Sequence, residues 1–388
     1  MHDVSAMIKG PVYLDNNATT ACYPEVVEAM TPYWSHLFGN TESVHVAGRK
    51  AGAVVEQCRA AVANAIGARP YQIFFNSGAT EGNNFIFSSY ARTLGSRKRI
   101  AVSAVEHKSV LKAAESLVPL GYEVVTLPVT EGGVVDVAKA RQLIDSAVGI
   151  VSVQLANNET GVLHSIPELV SIAHEHGAYF HCDAVQALGK VPLDVSALRV
   201  DSASFSAHKI HGPKGVGFLF VRDGSVKFPY AVAFSGGGQE QGLRPGTVNV
   251  PGIVGMAKAM TMLPAQEKLN EMASLLRRLE DGLRSLSIPC VIHGDNEDRL
   301  PNTCNVAFPG IPADMLIANL NAVCISTGSA CNSQEVAPSG VLKAMGVDDD
   351  EALSSVRLSL STETTAEEID YAVSEIARAI TRLKEMLV

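Results

Sequence analysis

A serine, a histidine and a lysine stand close together directly after an apolar run of this 388-residue chain. The run, residues 201–205, predicts a short buried strand, and Ser206, His208 and Lys209 follow it in a turn rich in glycine and proline. A lysine amine that has lost its proton attacks aldehydes and forms Schiff bases. The setting of Lys209 therefore favours covalent chemistry with a carbonyl ligand, although a single loop lysine is more often only solvated.

Polar residues directly follow apolar runs at several other points in the middle of the chain, where apolar runs alternate with amphipathic stretches. This β-α-β rhythm predicts a mostly parallel sheet covered by helices. In such sheets the carboxyl ends of the strands form one rim, at which ligands bind. The polar segments that follow the predicted strands, and that we expect at this rim, are 77–80, His107, Asn158, Asp183, Gln186, Ser206, His208 and Lys209.

These side chains correspond to the chemical needs of pyridoxal phosphate. The phosphate requires backbone amides and hydroxyls, which the strand-to-helix turn at 78–80 offers. The pyridinium nitrogen requires a carboxylate such as Asp183, the aldehyde requires Lys209, and the ring requires a flat cover such as His107. Simpler interpretations stay open for each residue: a helix N-cap for Asp183, a core histidine for His107 and an ordinary turn at 78–80.

Two residues nearer the C-terminus add different chemistry. Cys331 lies among small polar residues, and we interpret it as an accessible nucleophilic thiol rather than an incidental one. Arg357 lies inside a strand-like apolar run, where a planar guanidinium is suited to bind the carboxylate of an amino acid. The alternative for Arg357 is a structural ion pair with a nearby acid.

The composition indicates a globular protein, with 47% hydrophobic and 18% charged residues. A formal net charge of −9 argues against nucleic acid or an anionic membrane surface as the main partner. We expect a cytoplasmic protein, because the first ten residues lack a signal-peptide pattern and no apolar run is long enough to span a bilayer. No metal site is expected: the seven cysteines include no Cys-x-x-Cys pair, and His174 and His176 point to different faces of a helix.

The β-α-β rhythm ends near residue 263, where a break at Leu263 and Pro264 separates two predicted helices. We therefore predict a large ligand-binding domain at 16–263. Residues 264–388, joined by 1–15, are predicted to form a smaller α+β domain that carries Cys331.

With these residues in place, the chain resembles the pyridoxal-phosphate-dependent cysteine desulfurases of the NifS/IscS type, within the class V aminotransferase group. The resemblance extends over nearly the whole chain. The segments that carry it are 13–20, 77–81, 106–108, 157–161, 181–186, 206–209, 244–247, 328–331 and Arg357. It implies the α/β architecture of fold type I of the pyridoxal-phosphate-dependent transferases, with a mostly parallel seven-stranded sheet in the large domain and a smaller α+β domain.

The resemblance also implies a role for each site residue. Those assigned to the cofactor are Lys209 for the Schiff base, Asp183 for the ring nitrogen, Gln186 for the ring hydroxyl, His107 for ring stacking and proton transfer, and Ala79, Thr80, Ser206 and His208 for the phosphate end. Asn158 and Arg357 would hold the substrate carboxylate, with Asn158 also near the cofactor. Thr247 would reach the phosphate of the neighbouring subunit, which implies a homodimer.

The implied reaction removes sulfur from L-cysteine, leaving L-alanine and a persulfide on Cys331 that passes to a sulfur-accepting protein. Residues 40–45 differ from the common family pattern, and the chain ends at Val388 without the further tail that some members use on a scaffold protein. We therefore expect the acceptor to be either an iron–sulfur scaffold or the protein of another thio-cofactor pathway. The alternatives are a selenocysteine lyase, another class V aminotransferase, or a catalytically silent sulfur-pathway subunit. An NAD enzyme is disfavoured, because no Gly-x-Gly-x-x-Gly follows the first strand.

Overall fold

The structure is a computed structural model that describes residues 10–93, 97–222, 235–328 and 337–387. Its strands are β1 (Val12–Tyr13), β2 (Ile73–Asn76), β3 (Arg99–Ser103), β4 (Glu123–Leu127), β5 (Val148–Ser152), β6 (Tyr179–Asp183), β7 (Ser202–Ser206), β8 (Gly217–Val221), β9 (Val291–Ile292), β10 (Thr303–Ala307), β11 (Val323–Cys324) and β12 (Ser355–Ser359).

Helices cover the faces of the sheets and connect the strands. They are α1 (Pro24–Met30), α2 (Pro32–Ser35), α3 (Val46–Ala65), α4 (Ala79–Thr93), α5 (Lys108–Glu115), α6 (Val137–Leu143), α7 (Ile166–Glu175), α8 (Val195–Leu198), α9 (Val250–Thr261), α10 (Gln266–Arg284), α11 (Ala313–Ala318), α12 (Gly340–Ala344), α13 (Asp349–Leu353) and α14 (Ala366–Leu387). Short 3₁₀ turns lie at Pro70–Gln72, Val118–Leu120, Ala207–Lys209 and Glu240–Gly242. No described helix has both the length and the apolar character needed to cross a membrane.

The central sheet has seven strands in the order β2-β8-β7-β6-β5-β3-β4. Strand β8 runs antiparallel to both of its neighbours, and the remaining pairs are parallel. Strands β5, β7 and β8 are buried along their whole length, as expected for strands covered on both faces. The predicted mostly parallel sheet is confirmed. The interpretation of the individual runs did not assign β8.

The parallel direction of β2, β3, β5, β6 and β7 brings their carboxyl ends to one edge of the sheet. The polar segments after these strands therefore converge, although long stretches of chain separate them. The turn from β2 into α4 is short: Gly78 has a φ of +145°, and its amide donates to Asn76 Oδ1 (3.0 Å). A side chain is strained at that φ, so glycine is required where the chain reverses into the helix.

A second apolar core lies around the smaller sheets, β12-β10-β9 and β1-β11. Val12 and Leu14 pack there with residues of α10, β10, β12 and α14. The buried residues of α14, Ile369, Ala372, Ile376, Ala379, Ile380 and Leu383, follow the spacing of one helix face. Residues 341–352 pack instead in the core of the large sheet. The division into 16–263 and 264–388 plus 1–15 stays a proposal.

A buried histidine makes one acid-sensitive contribution to the stability of this fold. His164 accepts a hydrogen bond from the backbone N–H of Val135 at Nδ1 (3.3 Å), and its Nε2 has no partner among the described residues. Burial lowers the pKa of His164 to about 4. A histidine in the unfolded chain titrates near 6.5, so the unfolded state binds the proton first as the pH falls.

We therefore expect the titration of His164 to lower the free energy of unfolding by roughly 3 kcal/mol as the pH falls from 6.5 to about 4. Urea unfolding of the wild-type protein and of His164→Gln, at pH 7.0 and at intervals down to 4.5, measures the difference. The free energy of unfolding of the variant, relative to that of the wild type, should rise as the pH falls. Parallel stability curves for the two proteins would contradict a neutral buried His164.

Candidate active site

A cavity of about 540 Å³ opens at the carboxyl edge of the central sheet. Of the predicted site residues, those that line it are Ala79, Thr80, His107, Asn158, Asp183, Gln186, Ser206, His208, Lys209 and Arg357. Its size lies within the range typical of cavities that bind cofactors and small ligands. Thr247 does not line this cavity, and Cys331 lies outside the described residues.

Lys209 lies on the 3₁₀ turn that follows β7, and its amine is held against the N-terminal segment. Its Nζ donates to the carbonyl oxygens of Asn17 (2.5 Å) and Ala18 (2.8 Å). The Asn17 carbonyl also accepts from Gln186 Nε2 (3.0 Å). One backbone carbonyl thus positions two of the predicted cofactor residues.

A second lysine, which the sequence interpretation overlooked, lies behind this contact. Lys190 Nζ donates to Asn17 Oδ1 (2.9 Å) and to Gln186 Oε1 (2.6 Å). Burial, and then the positive charges of Lys209 and Arg357, lower the pKa of Lys190 well below its usual value. Lys190 therefore fixes the amide of Gln186 from its buried side.

Asp183 ends β6 and is nearly fully buried, with 6% of the residue exposed. Its Oδ1 accepts from the backbone N–H of Val185 (3.1 Å), and its Oδ2 accepts from Asn83 Nδ2 (2.9 Å). No helix begins at Asp183, so the simpler interpretation as a helix N-cap is wrong. Burial, and then the nearby Asp183, raise the pKa of Glu106 well above its usual value, which favours a neutral acid beside Asp183.

His107 precedes α5 and caps its N-terminus. Its Nδ1 accepts from the backbone N–H of Ser109 (3.1 Å) and lies 2.7 Å from Ser109 Oγ. Burial is the largest influence on its pKa, which is lowered; Asp183 opposes the shift and Lys209 adds to it. The site therefore presents a neutral imidazole ring to the cavity.

Several neutral polar groups also line the cavity. Helix α4 begins at Ala79, and the first amides of a helix lack internal partners and attract anions. Thr80 and Ser206, which carry hydroxyls, line the same cavity. His208 lies 3.2 Å from Thr19 Oγ1 through Nδ1, and burial, followed by the charge of Lys209, lowers its pKa to about 4.

Arg357 lies in the middle of β12 and reaches the cavity from the smaller sheet. Its Nη2 pairs with Asp15 Oδ1 (2.8 Å) and its Nη1 donates to the carbonyl oxygen of Asn158 (2.9 Å). The structural ion pair considered as the alternative is therefore present. The same guanidinium also borders the cavity, and its Nε has no hydrogen-bond partner among the described residues.

The predicted residue Thr247 lies on an exposed loop beside the cavity. Two ion pairs hold this loop: Arg244 to Glu81 (2.8 Å) and Arg59 to Glu240 (2.7 Å). Glu81 belongs to the same first turn of α4 as Ala79 and Thr80, so the loop is tied to the anion-binding end of the cavity.

The sequence interpretation assigned no role to several site residues, namely Asn17, Asn83, Glu106, Ser109 and Lys190. Asn17 and Glu106 lie within recognised motifs but received no function. One available signal was helical spacing, since Asn83 lies four residues after Ala79 and thus on the same face of α4. The adjacent Asn84 has the same chemistry but is exposed.

Comparison with known proteins identifies the family. The family model for the class-V aminotransferases matches residues 12–372. The chain belongs to this family. Class-V aminotransferases depend on pyridoxal 5′-phosphate, so the cavity can be compared with the needs of that cofactor.

The relatives of this class-V chain include named cysteine desulfurases. The cysteine desulfurase IscS of Anaeromyxobacter dehalogenans strain 2CP-C is 42% identical over 98% of this chain and 95% of the relative. A solved structure of a NifS-like protein superposes with a TM-score of 0.88 and 39% identity, covering 96% of this chain and 99% of that chain. A structure of SspA in complex with cysteine superposes with a TM-score of 0.81 and 31% identity, covering 91% and 99% of the two chains.

The residues of the cavity fit pyridoxal 5′-phosphate. The start of helix α4, the buried carboxylate of Asp183 and the amine-bearing Lys209 all line one cavity. Asp183 matches a protonated ring nitrogen, since it is buried and already accepts two hydrogen bonds. Gln186 and Ser206, both buried, add polar groups along the wall.

Proposed function

We propose that the protein is a pyridoxal-phosphate-dependent cysteine desulfurase. It converts L-cysteine to L-alanine and leaves the sulfur on Cys331 as a persulfide. The observation that carries this proposal is the convergence of Lys209, Asp183, His107 and Arg357 on one cavity. The names of the relatives support the same reaction.

The cofactor would be held by Lys209, Asp183, Gln186 and His107 around the ring, and by Ala79, Thr80, Ser206 and His208 at the phosphate. When bound, it supplies an electron sink for the bond broken at the substrate Cα. Lys209 Nζ is the base that we assign to the Cα proton, because Lys209 lines the cavity and hydrogen bonds to two carbonyl oxygens hold its amine in place. The Asp183 carboxylate holds the proton of the ring nitrogen.

The substrate carboxylate would bind Arg357 and Asn158. Arg357 Nη1 already holds the Asn158 backbone, so the two groups are fixed relative to each other before substrate arrives. The ion pair with Asp15 restrains the guanidinium in the same position. Binding an amino acid here therefore requires little reorganisation of the arginine.

Sulfur transfer would use the Cys331 thiolate, which attacks the substrate sulfur. The new S–S bond forms as the Cβ–S bond breaks, and the electron pair of that bond stays on carbon, which is then protonated to give alanine. Gly328 lines the cavity and precedes Cys331 by three residues, which an extended chain spans in about 10 Å. That connectivity supports access of the thiol to substrate bound between Lys209 and Arg357.

We infer that the working form is a homodimer. Trp34, Phe38, Val44 and Val46 are 67%, 74%, 86% and 60% exposed, an unusual concentration of large apolar side chains near one another in sequence. Thr247 is exposed outside the cavity of its own chain, as a residue that serves a neighbouring site would be. We also propose that the protein passes its sulfur to a sulfur-accepting protein and that it works in the cytoplasm.

Mass spectrometry of the purified protein after addition of L-cysteine tests this function. We expect one additional sulfur atom that is lost on treatment with dithiothreitol, and we expect peptide mapping to locate it at Cys331. Alanine should form in equal amount in the first turnover. Alanine without any protein-bound sulfur, or sulfur on a different cysteine, would contradict the proposal.

A further inference from the structure

Asn83 connects two active-site residues through a fully buried hydrogen-bond network. Asn83 lies on α4 and is 0% exposed. Its Nδ2 donates both to Asp183 Oδ2 (2.9 Å) and to Ser109 Oγ (2.8 Å). Its Oδ1 lies 2.9 Å from His181 Nε2. Because an ionised carboxylate can only accept, the NH₂ group of Asn83 must face Asp183, and the orientation of the amide is fixed.

The first branch of this network runs away from the cavity. His181 on β6 is 0% exposed, and burial lowers its pKa to about 3, so its ring is neutral. Since Asn83 Oδ1 is an acceptor, the single ring proton of His181 lies on Nε2. His181 Nδ1 then accepts from Ser202 Oγ (2.7 Å). The donor and the acceptor of each hydrogen bond from Ser202 through His181 and Asn83 to Asp183 are therefore fixed.

The second branch runs from Asn83 to His107. Ser109 Oγ accepts from Asn83, which leaves the hydroxyl proton of Ser109 for His107 Nδ1, 2.7 Å away. The backbone N–H of Ser109 also donates to the same nitrogen (3.1 Å). With two donors directed at Nδ1, the proton of the neutral His107 lies on Nε2.

We propose that Asn83 is a positioning residue that fixes the orientation of the Asp183 carboxylate and, through the Ser109 hydroxyl, the hydrogen bond to Nδ1 of His107. This inference rests on the proposed function for the roles of Asp183 and His107. The buried amide of Asn83 would then align both the Asp183 carboxylate, which is assigned to the cofactor ring nitrogen, and the His107 ring, which is assigned to cover the cofactor. The two groups approach from different strands, β6 and β3, and Asn83 on α4 bridges them.

Two signals of the resting holoenzyme test the proposal without turnover. The first is the ¹⁵N NMR spectrum of histidine-labelled protein, in which the Nδ1 and Nε2 shifts of His107 report its tautomer and the hydrogen bonding at Nδ1. The second is the visible absorption band of the bound cofactor, which responds to the Asp183 carboxylate at the ring nitrogen. The His107 signals are assigned by comparison with His107→Gln.

Asn83→Leu removes both branches while keeping the branched shape of the side chain. We expect it to move both signals and to lower kcat by roughly 10- to 100-fold. The His107 signal should move because the Ser109 hydroxyl is no longer held as a donor to Nδ1, whereas the ring proton stays on Nε2 because the backbone N–H of Ser109 still donates to Nδ1. Ser109→Ala should move the His107 signal alone, and Ser109→Thr, which keeps the hydroxyl, should restore it. His164→Gln changes another buried histidine, outside the network, and should move neither signal.

Two results would overturn the inference. The first is a folded, cofactor-saturated Asn83→Leu protein with both signals at their wild-type positions. The second is a Ser109→Ala protein that shifts the absorption band as strongly as it shifts the His107 signals, since that indicates general loosening of the site. If Asn83→Leu does not fold, the Ser109→Ala and Ser109→Thr pair decides alone. A holoenzyme that makes no persulfide refutes the proposed function but leaves both resting signals interpretable.

Discussion

Replacing Cys331 by alanine is expected to reduce sulfide release from L-cysteine by at least about 10³-fold, because the reaction loses its sulfur-accepting nucleophile. Among the described residues, no thiol lines the cavity that contains Lys209 and Asp183. The visible absorbance of the bound cofactor should be unchanged, because the residues assigned to hold it lie on the central sheet and its connections. Sulfide and alanine assays on the holoenzyme, with a reductant present, measure the effect.

Cys324→Ala provides the matched control. Cys324 lies on β11, seven residues before Cys331, and is a partly buried free thiol that does not line the cavity. It should retain wild-type sulfide release. Undiminished sulfide production by Cys331→Ala would exclude the proposed sulfur transfer and would favour another reaction of the class-V family.

The second large effect is expected at Lys209. Replacement by alanine removes the covalent anchor of the cofactor and the base for the Cα proton together, and we expect activity to fall by at least about 10³-fold. Treatment with borohydride should attach the cofactor covalently to the wild-type protein but not to Lys209→Ala. Absorbance spectra and intact-protein mass spectrometry measure both outcomes.

A small primary amine added to Lys209→Ala should recover part of the activity, because it replaces the missing base, and should recover none in Cys331→Ala. Lys112→Ala, at an exposed position of α5 paired with Glu115, controls for the loss of a lysine elsewhere. Borohydride attachment of the cofactor at another lysine in Lys209→Ala, with activity retained, would show that Lys209 has been assigned wrongly.

The sequence by itself determined which residues reach the rim of the sheet. Hydrophobic periodicity is a local property of the chain, and it predicted the strands that end at Asp183 and shortly before His107 and Ser206. Parallel strand direction then required these ends to meet at one edge. The motifs are local patterns as well, and they sufficed to identify the family, which the match over residues 12–372 confirms.

The tertiary structure alone decided the partners of the buried polar groups. Asn83 meets Asp183 across 100 residues of sequence, and Arg357 meets Asp15 across 342, separations over which no local pattern carries information. Asn83 and Asn84 are chemically identical neighbours, and only the packing of α4 buries one and exposes the other. Because a buried polar group must find a hydrogen-bond partner, its role follows from the elements packed around it. The sequence thus placed the reactive groups, and the packing between α4, α5 and β6 oriented them.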